Sequence, residues 1–186
     1  CNNHTPSLAT YLSTLGGNST GPFAGAAGKS CADLMTYTVA IFKAATATNM
    51  NYMLRAQMLA TALDVYFSGT GYQTTSVSRS KPPSNFLPNG GIGTFNMDMR
   101  AICPMVDNTT AGTATCKLGA ASSNAFASGA VPSAAMTVSE ILAFAASNPP
   151  YTTSGTPGVW YAGNRTKQEI LKNIFDQINN QDAFGA

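Results

Sequence analysis

Five stretches of this chain place apolar residues at the three- and four-residue spacing of a helix face, and Gly-, Pro- and Ser-rich segments separate them. That alternation constrains the fold more than any other feature, because a face of this period is buried only by packing helix on helix. Leu8, Tyr11, Leu12 and Leu15 form the first face, with Thr5 read as N-cap, Pro6 as the first helical residue and Gly16-Gly17 as the stop. Ser30 and Asp33 make a capping-box-like start for Leu34, Tyr37, Ile41 and Ala45. A third helix over about 51–68 carries Leu54, Met58, Leu59, Ala62, Leu63 and Tyr66, a face wide enough to be central to the core. Thr137 with Glu140 is a capping box ahead of Ile141, Leu142 and Ala145, and Asn148-Pro149-Pro150 ends that helix. Thr166 with Glu169 matches the same pattern ahead of Ile170, Leu171, Ile174, Phe175 and Ile178, the strongest amphipathic spacing in the chain.

Between these helices the pattern weakens. Long irregular loops are expected over about 69–94 and 117–136, and Phe95, Met97 and Met99 alternate with polar residues as a short strand or hairpin would. The expectation is a single mainly α domain over 1–186, with about five helices, and stabilised by disulfides.

Four cysteines bear on compartment: Cys1, Cys31, Cys103 and Cys116. None are spaced as a zinc knuckle, and His4 is the single histidine, so a metal site is poorly supported and no cofactor is expected. Three connectivities are open. Asp107 to Gly112 is turn-rich and could bring Cys103 to Cys116, which leaves Cys1 for Cys31. Such bridges persist outside the reducing cytosol. Alternatively, Cys1 followed by Asn2-Asn3 looks like the mature start of a lipid-anchored bacterial protein. Both readings place the chain outside the cytoplasm, at the cell surface, extracellular or periplasmic.

Charged residues are only 10% of the chain and the net charge is +2, where a typical domain has about 25% charged residues. The surface must be polar yet nearly uncharged, with little like-charge repulsion between copies, which favours association. The ten basic residues are scattered, so nucleic acid is not an expected partner. No apolar run has the length of a transmembrane segment.

Motifs of chemistry fail on context. Gly17 to Gly21 matches G-x-S-x-G, but a helix precedes it where the nucleophile elbow needs a strand. Ser78 to Lys81 matches S-x-x-K, but Pro82-Pro83 opposes the helical turn that would bring Lys to Ser. Glu140, Glu169, Asp33 and Asp176 have helix-start or solvated-face roles, leaving Asp98 and Asp107 near a loop cluster. Met97 and Met99, like Met50 and Met53, resemble thioether copper ligands but serve equally as core filler. No catalytic residues are expected. Sequons at Asn3, Asn18, Asn108 and Asn164 permit glycosylation. Trp160 and Tyr161, flanked by Gly158 and Gly163, could form an exposed stacking platform for glycans, as could Tyr72, although an aromatic buried under the last helix is the commoner outcome.

The segments Leu54 to Tyr66, Gly163 to Thr166 and Phe175 to Asn180 resemble a helical module near the C-termini of large secreted or surface proteins of bacteria. The similarity runs from about residue 8 to 182, with the middle loops diverging, and the aromatic stretch that often precedes the module is missing. The resemblance implies a fold and a location, and no catalytic residues. Together these features lead to an expectation of a non-enzymatic structural or assembly domain of a bacterial surface structure or filament, partnered by its own copies or other surface proteins. The alternative expectation is a carbohydrate-binding or adhesive module.

Overall fold

The computed structural model describes residues 5–15, 21–46, 48–69, 91–102, 106–107, 115–116, 124–147 and 158–180. Five α-helices carry the fold: α1 (Leu8–Ser13), α2 (Cys31–Ala44), α3 (Met50–Gly69), α4 (Val138–Ser147) and α5 (Arg165–Asn179). Short strands pair as β1 (Asn96–Asp98) with β4 (Ala135–Thr137) and β2 (Val106–Asp107) with β3 (Thr115–Cys116), both antiparallel. The mainly helical class expected from periodicity is what the chain forms.

Helix α3 is the centre. Leu54, Met58, Leu59 and Ala62 are fully buried, and the helix packs against α1, α2, α4 and most extensively α5. Helix α5 answers with Ile170, Leu171, Ile174, Phe175 and Ile178, all buried. A polar seam runs through this contact. Asn179 Nδ2 donates to the Gln57 carbonyl oxygen at 3.1 Å and to Gln57 Oε1 at 2.6 Å, while Thr61 Oγ1 donates to Asn179 Oδ1 at 2.6 Å. Gln57 Nε2 donates in turn to Asp176 Oδ1 at 2.9 Å. Buried polar groups are tolerable when paired in this way, and their geometry fixes one register for the two helices.

Two helix starts follow the local pattern. Ser30 Oγ accepts from Asp33 N and bonds its carboxylate, and the Thr137 and Glu140 side chains each accept from the other's backbone N–H. The Glu140 carboxyl is held below its usual range by those Thr137 donors. Two starts differ. Ser7, not Thr5, caps α1, which ends at Ser13 well before Gly16, where the Ser13 and Thr14 hydroxyls both donate to the Thr10 carbonyl. Helix α5 begins at Arg165 under an Asn164 cap, two residues before Thr166, because the preceding turn already delivers Arg165 in helical conformation.

Phe95, Met97 and Met99 behave as expected of a half-buried strand: Met97 and Met99 are buried, and Asn96 and Asp98 are exposed. Those methionines are core residues, not copper ligands at a surface. Their partner β4 overlaps the end of the segment 117–136 expected to be irregular. The register Met97↔Met136 buries a third methionine beside them, so cross-strand pairing orders a stretch whose composition reads as loop. Of the expected loop 69–94, Gly69 ends α3 and the description resumes at Gly91, where a 3-10 turn, Ile92–Thr94, packs on α3.

Helix α2 is the exception to efficient burial. Of its 14 residues only Leu34 and Ile41 are buried. On an adjoining face Met35 is 66% exposed and Val39 and Phe42 are each 42% exposed, an i, i+4, i+7 stripe facing outward. Arg55 anchors the buried side, donating through Nε to the Pro22 carbonyl and through a terminal nitrogen to the Tyr37 hydroxyl.

Candidate functional site

Where α3 and α5 both begin, the chain forms a cleft of about 450 Å³, lined on one side by Thr48 and Asn49 just before α3 and by Tyr52 within it, and on the other by Val159, Arg165 and Gln168, among others. Val159 and Gly163, two of its lining residues, stand at the two ends of the 3-10 turn Trp160–Gly163. Tyr161 and Ala162 adopt left-handed backbone there, at φ 53° and 50°, and Gly163 follows at φ 86°. For the two non-glycine residues this costs about 1–2 kcal/mol each, so the surrounding contacts must over-determine the turn.

They do so with hydrogen bonds from distant elements. Asn51 Oδ1 accepts from Trp160 N and its Nδ2 donates to the Gly158 carbonyl, both at 3.1 Å. Gln168 Nε2 donates to the Trp160 carbonyl at 2.9 Å, and Trp160 Nε1 donates to the Ala145 carbonyl at 2.9 Å. The Tyr161 hydroxyl donates to the Ala130 carbonyl, and burial pushes its pKa up.

This arrangement corrects the stacking platform. Trp160 is fully buried, with its indole N–H satisfied by α4, and Tyr161 is half-buried under the same turn. Flanking glycines left an exposed platform open; the long-range partners bury the ring under the last helix, the commoner outcome for such an aromatic. Tyr72 lies outside the described residues.

Asn164 is exposed and serves as the α5 cap through Oδ1, whereas Asn3, Asn18 and Asn108 lie outside the described residues. Cys31, at the first position of α2, is disulfide-bonded. Cys1 and Cys103 lie outside the described residues, as does the side chain of Cys116, so the pairings Cys1–Cys31 and Cys103–Cys116 fall there too. The β2–β3 register sets Cys116 opposite Val106, three positions along the chain from Cys103. Ser19, Ser78 and Lys81 also lie outside the described residues. Asp98 is exposed and chelated by Arg100 through two guanidinium nitrogens at 2.9 Å, which holds its carboxyl below the usual range. Among the described residues no group of three or more His, Cys, Asp or Glu is placed to hold a metal ion, and no helix is long and apolar enough to cross a membrane.

Sequence reasoning missed Asn49, Asn51, Arg165 and Gln168. The available signal was local at one position: Asn49 precedes α3 and its Oδ1 accepts from Tyr52 N, an ordinary N-cap. Compared with family models, with curated proteins and with solved structures, the chain finds no match in any of the three. Fold and cleft together define a mainly helical domain with small antiparallel strand pairs.

Proposed function

We propose that this chain is a non-enzymatic, disulfide-stabilised structural domain of a bacterial extracellular surface structure or filament, and that it associates with its own copies through α2. The observation that carries the reading is the outward stripe of Met35, Val39 and Phe42. An apolar stripe of this kind is stabilised by being covered.

A second copy in antiparallel orientation suits it. Asp33 lies in the first turn of α2 and Lys43 in the last, both exposed, so two antiparallel helices bring unlike charges to each end. The midpoint of Asp33 and Lys43 is residue 38, and that of Met35 and Phe42 falls between 38 and 39. A two-fold axis there sets the stripe against itself, while the end charges, which lie off the stripe's face, bias the pair toward the antiparallel sense. Antiparallel helix dipoles and the small exposed Ala32, Thr36 and Ala40 beside the stripe favour close approach. The chain's few charges offer little long-range repulsion against such pairing. A two-fold contact closes at a dimer, so the pair is a building unit, and longer assemblies use a further surface. The disulfides expected from the cysteines and the resemblance to a bacterial surface module support the extracellular placement.

Sedimentation equilibrium of the oxidised full chain tests this. A concentration-dependent dimer is expected, and Val39→Lys with Phe42→Glu should abolish it while leaving the circular dichroism spectrum unchanged. A wild-type chain that stays monomeric up to about 1 mM, the range of a weak interface, overturns the reading.

A further inference from the structure

The cleft between the starts of α3 and α5 combines three features that the assembly reading leaves without a role. The first is unspent donors. Tyr52 N and Met53 N are taken by Asn49, and Lys167 N and Gln168 N by Asn164, but the N–H groups of Met50, Asn51, Arg165 and Thr166 have no acceptor within their helices. Both N-termini belong to long helices and both open on the same cleft. The second is an unpaired cation. Arg165 lines the cleft, forms no ion pair among the described residues, and has no carboxylate among the residues that line the cleft with it.

The third is a buried acceptor. Gln168 is 4% exposed and lines the cleft; its Nε2 is spent on the Trp160 carbonyl, and no described residue donates to its Oε1. A buried amide oxygen without a donor is costly to the fold and seeks one. Helix N-termini and arginine call for an anion; Gln168 Oε1 calls for a hydroxyl on the same ligand. The ring of Tyr52 on the cleft wall adds an apolar face.

We infer that this cleft binds an acidic sugar, its carboxylate held by Arg165 and the two helix N-termini and a ring hydroxyl donated to Gln168 Oε1. The volume of about 450 Å³ accommodates one or two pyranose rings, and the strained turn Trp160–Gly163 fixes Val159 and Gly163 at its edge. A simple anion satisfies the first two features and leaves Gln168 unmet. A neutral sugar satisfies only the third.

Titration of the ¹⁵N-labelled full chain with sodium D-glucuronate, D-glucose and sodium phosphate decides the matter. Glucuronate is expected to shift the amides of residues 48–52 and 163–168 with a Kd of about 1–10 mM, the affinity of a small polar ligand. Arg165→Met, which keeps the aliphatic stem, should weaken it about tenfold or more by removing a charge-assisted contact, and Lys29→Met should not. A β-1,4-linked oligoglucuronate that binds more tightly than the monosaccharide identifies a polysaccharide as the source; equal affinity identifies the single sugar. No shift localised to the cleft overturns the inference, as does equal binding of glucose or an unaltered Kd in Arg165→Met. Phosphate binding there as tightly as glucuronate would show an adventitious ion only, and overturns it as well.

Discussion

Asn51 grips the backbone on both sides of Val159: its carboxamide accepts from Trp160 N and donates to the Gly158 carbonyl, each at 3.1 Å. A side chain in the first turn of α3 thus reads out the position of a segment more than a hundred residues away. The strained turn at Tyr161 and Ala162 leans on this contact.

Asn51→Ala should therefore cost more than an ordinary surface truncation. It strips one backbone donor and one backbone acceptor of their partners, for a loss of about 1–3 kcal/mol. Trp160 is the chain's single tryptophan and fully buried, so its emission is a direct reporter. Urea unfolding should show the lower midpoint, and acrylamide should quench the native emission of the variant more than that of the wild type.

How much of this was legible depends on how far apart the interacting groups lie. The Ser30–Asp33 and Thr137–Glu140 starts involve residues three apart, and the sequence pattern contains the whole interaction. The Thr166–Glu169 pattern is equally good on paper but lost to Asn164, because the left-handed turn before it sets where helical geometry begins. Trp160 between glycines admits an exposed platform or a ring buried under the last helix, and the burial that decides it depends on Ala145, Asn51 and Gln168, none of them neighbours. Helix α2 is apolar on two sides. Periodicity shows that both exist but not which one the core covers, which is why Met35, Val39 and Phe42 escaped notice.

The seam between α3 and α5 should behave as a coupled unit. Asn179→Ala removes donors from the Gln57 carbonyl and side chain and the nearer of two acceptors of Thr61, costing about 1–3 kcal/mol. A double-mutant cycle of Gln57→Ala with Asn179→Ala should give a coupling of about 0.5–3 kcal/mol, as for residues sharing a network. Additivity within error would mean the seam is passive.

Alkaline pH should destabilise the domain through Tyr11. Its ring packs against Tyr66 at 5.2 Å between centroids, and burial pushes its pKa up to about 12. The folded value lies above the unfolded value of about 10, so the stabilisation is complete below pH 10 and is lost as pH rises toward 12. Two units correspond to about 2–3 kcal/mol, an upper figure for one side chain. Tyr11→Phe should flatten the pH dependence of the urea midpoint over that window. Glu140 acts on the acid side with the opposite sign. Its folded pKa is depressed by the Thr137 donors, so its contribution is present above the ordinary glutamate range and disappears as pH falls through the lowered value.

Gly91 should tolerate no side chain. It joins the segment after α3 to the turn Ile92–Thr94 at φ 75°, a left-handed conformation that L residues adopt at a cost. A Cβ there would sit 2.6 Å from the Ser68 carbonyl carbon and 2.7 Å from Gly69 N, both backbone atoms of the end of α3. Gly93 is the informative control. A Cβ at Gly93 would meet Ser139 Oγ at 2.5 Å and Val65 Cγ1 at 2.9 Å, which are side-chain atoms able to turn away, and its φ is not left-handed. Gly91→Ala should thus lose about 2–4 kcal/mol, from backbone strain and overpacking together, and Gly93→Ala clearly less. Because Ser68 Oγ accepts from Ile92 N at 3.0 Å, the damage at Gly91 should spread to the α3 terminus. Hydrogen exchange would then show faster amides at the end of α3 in Gly91→Ala, while those of α5 keep their protection relative to global stability. Equal losses in the two variants would mean that α3 frays to make room, and that Gly91 is kept for its conformation alone.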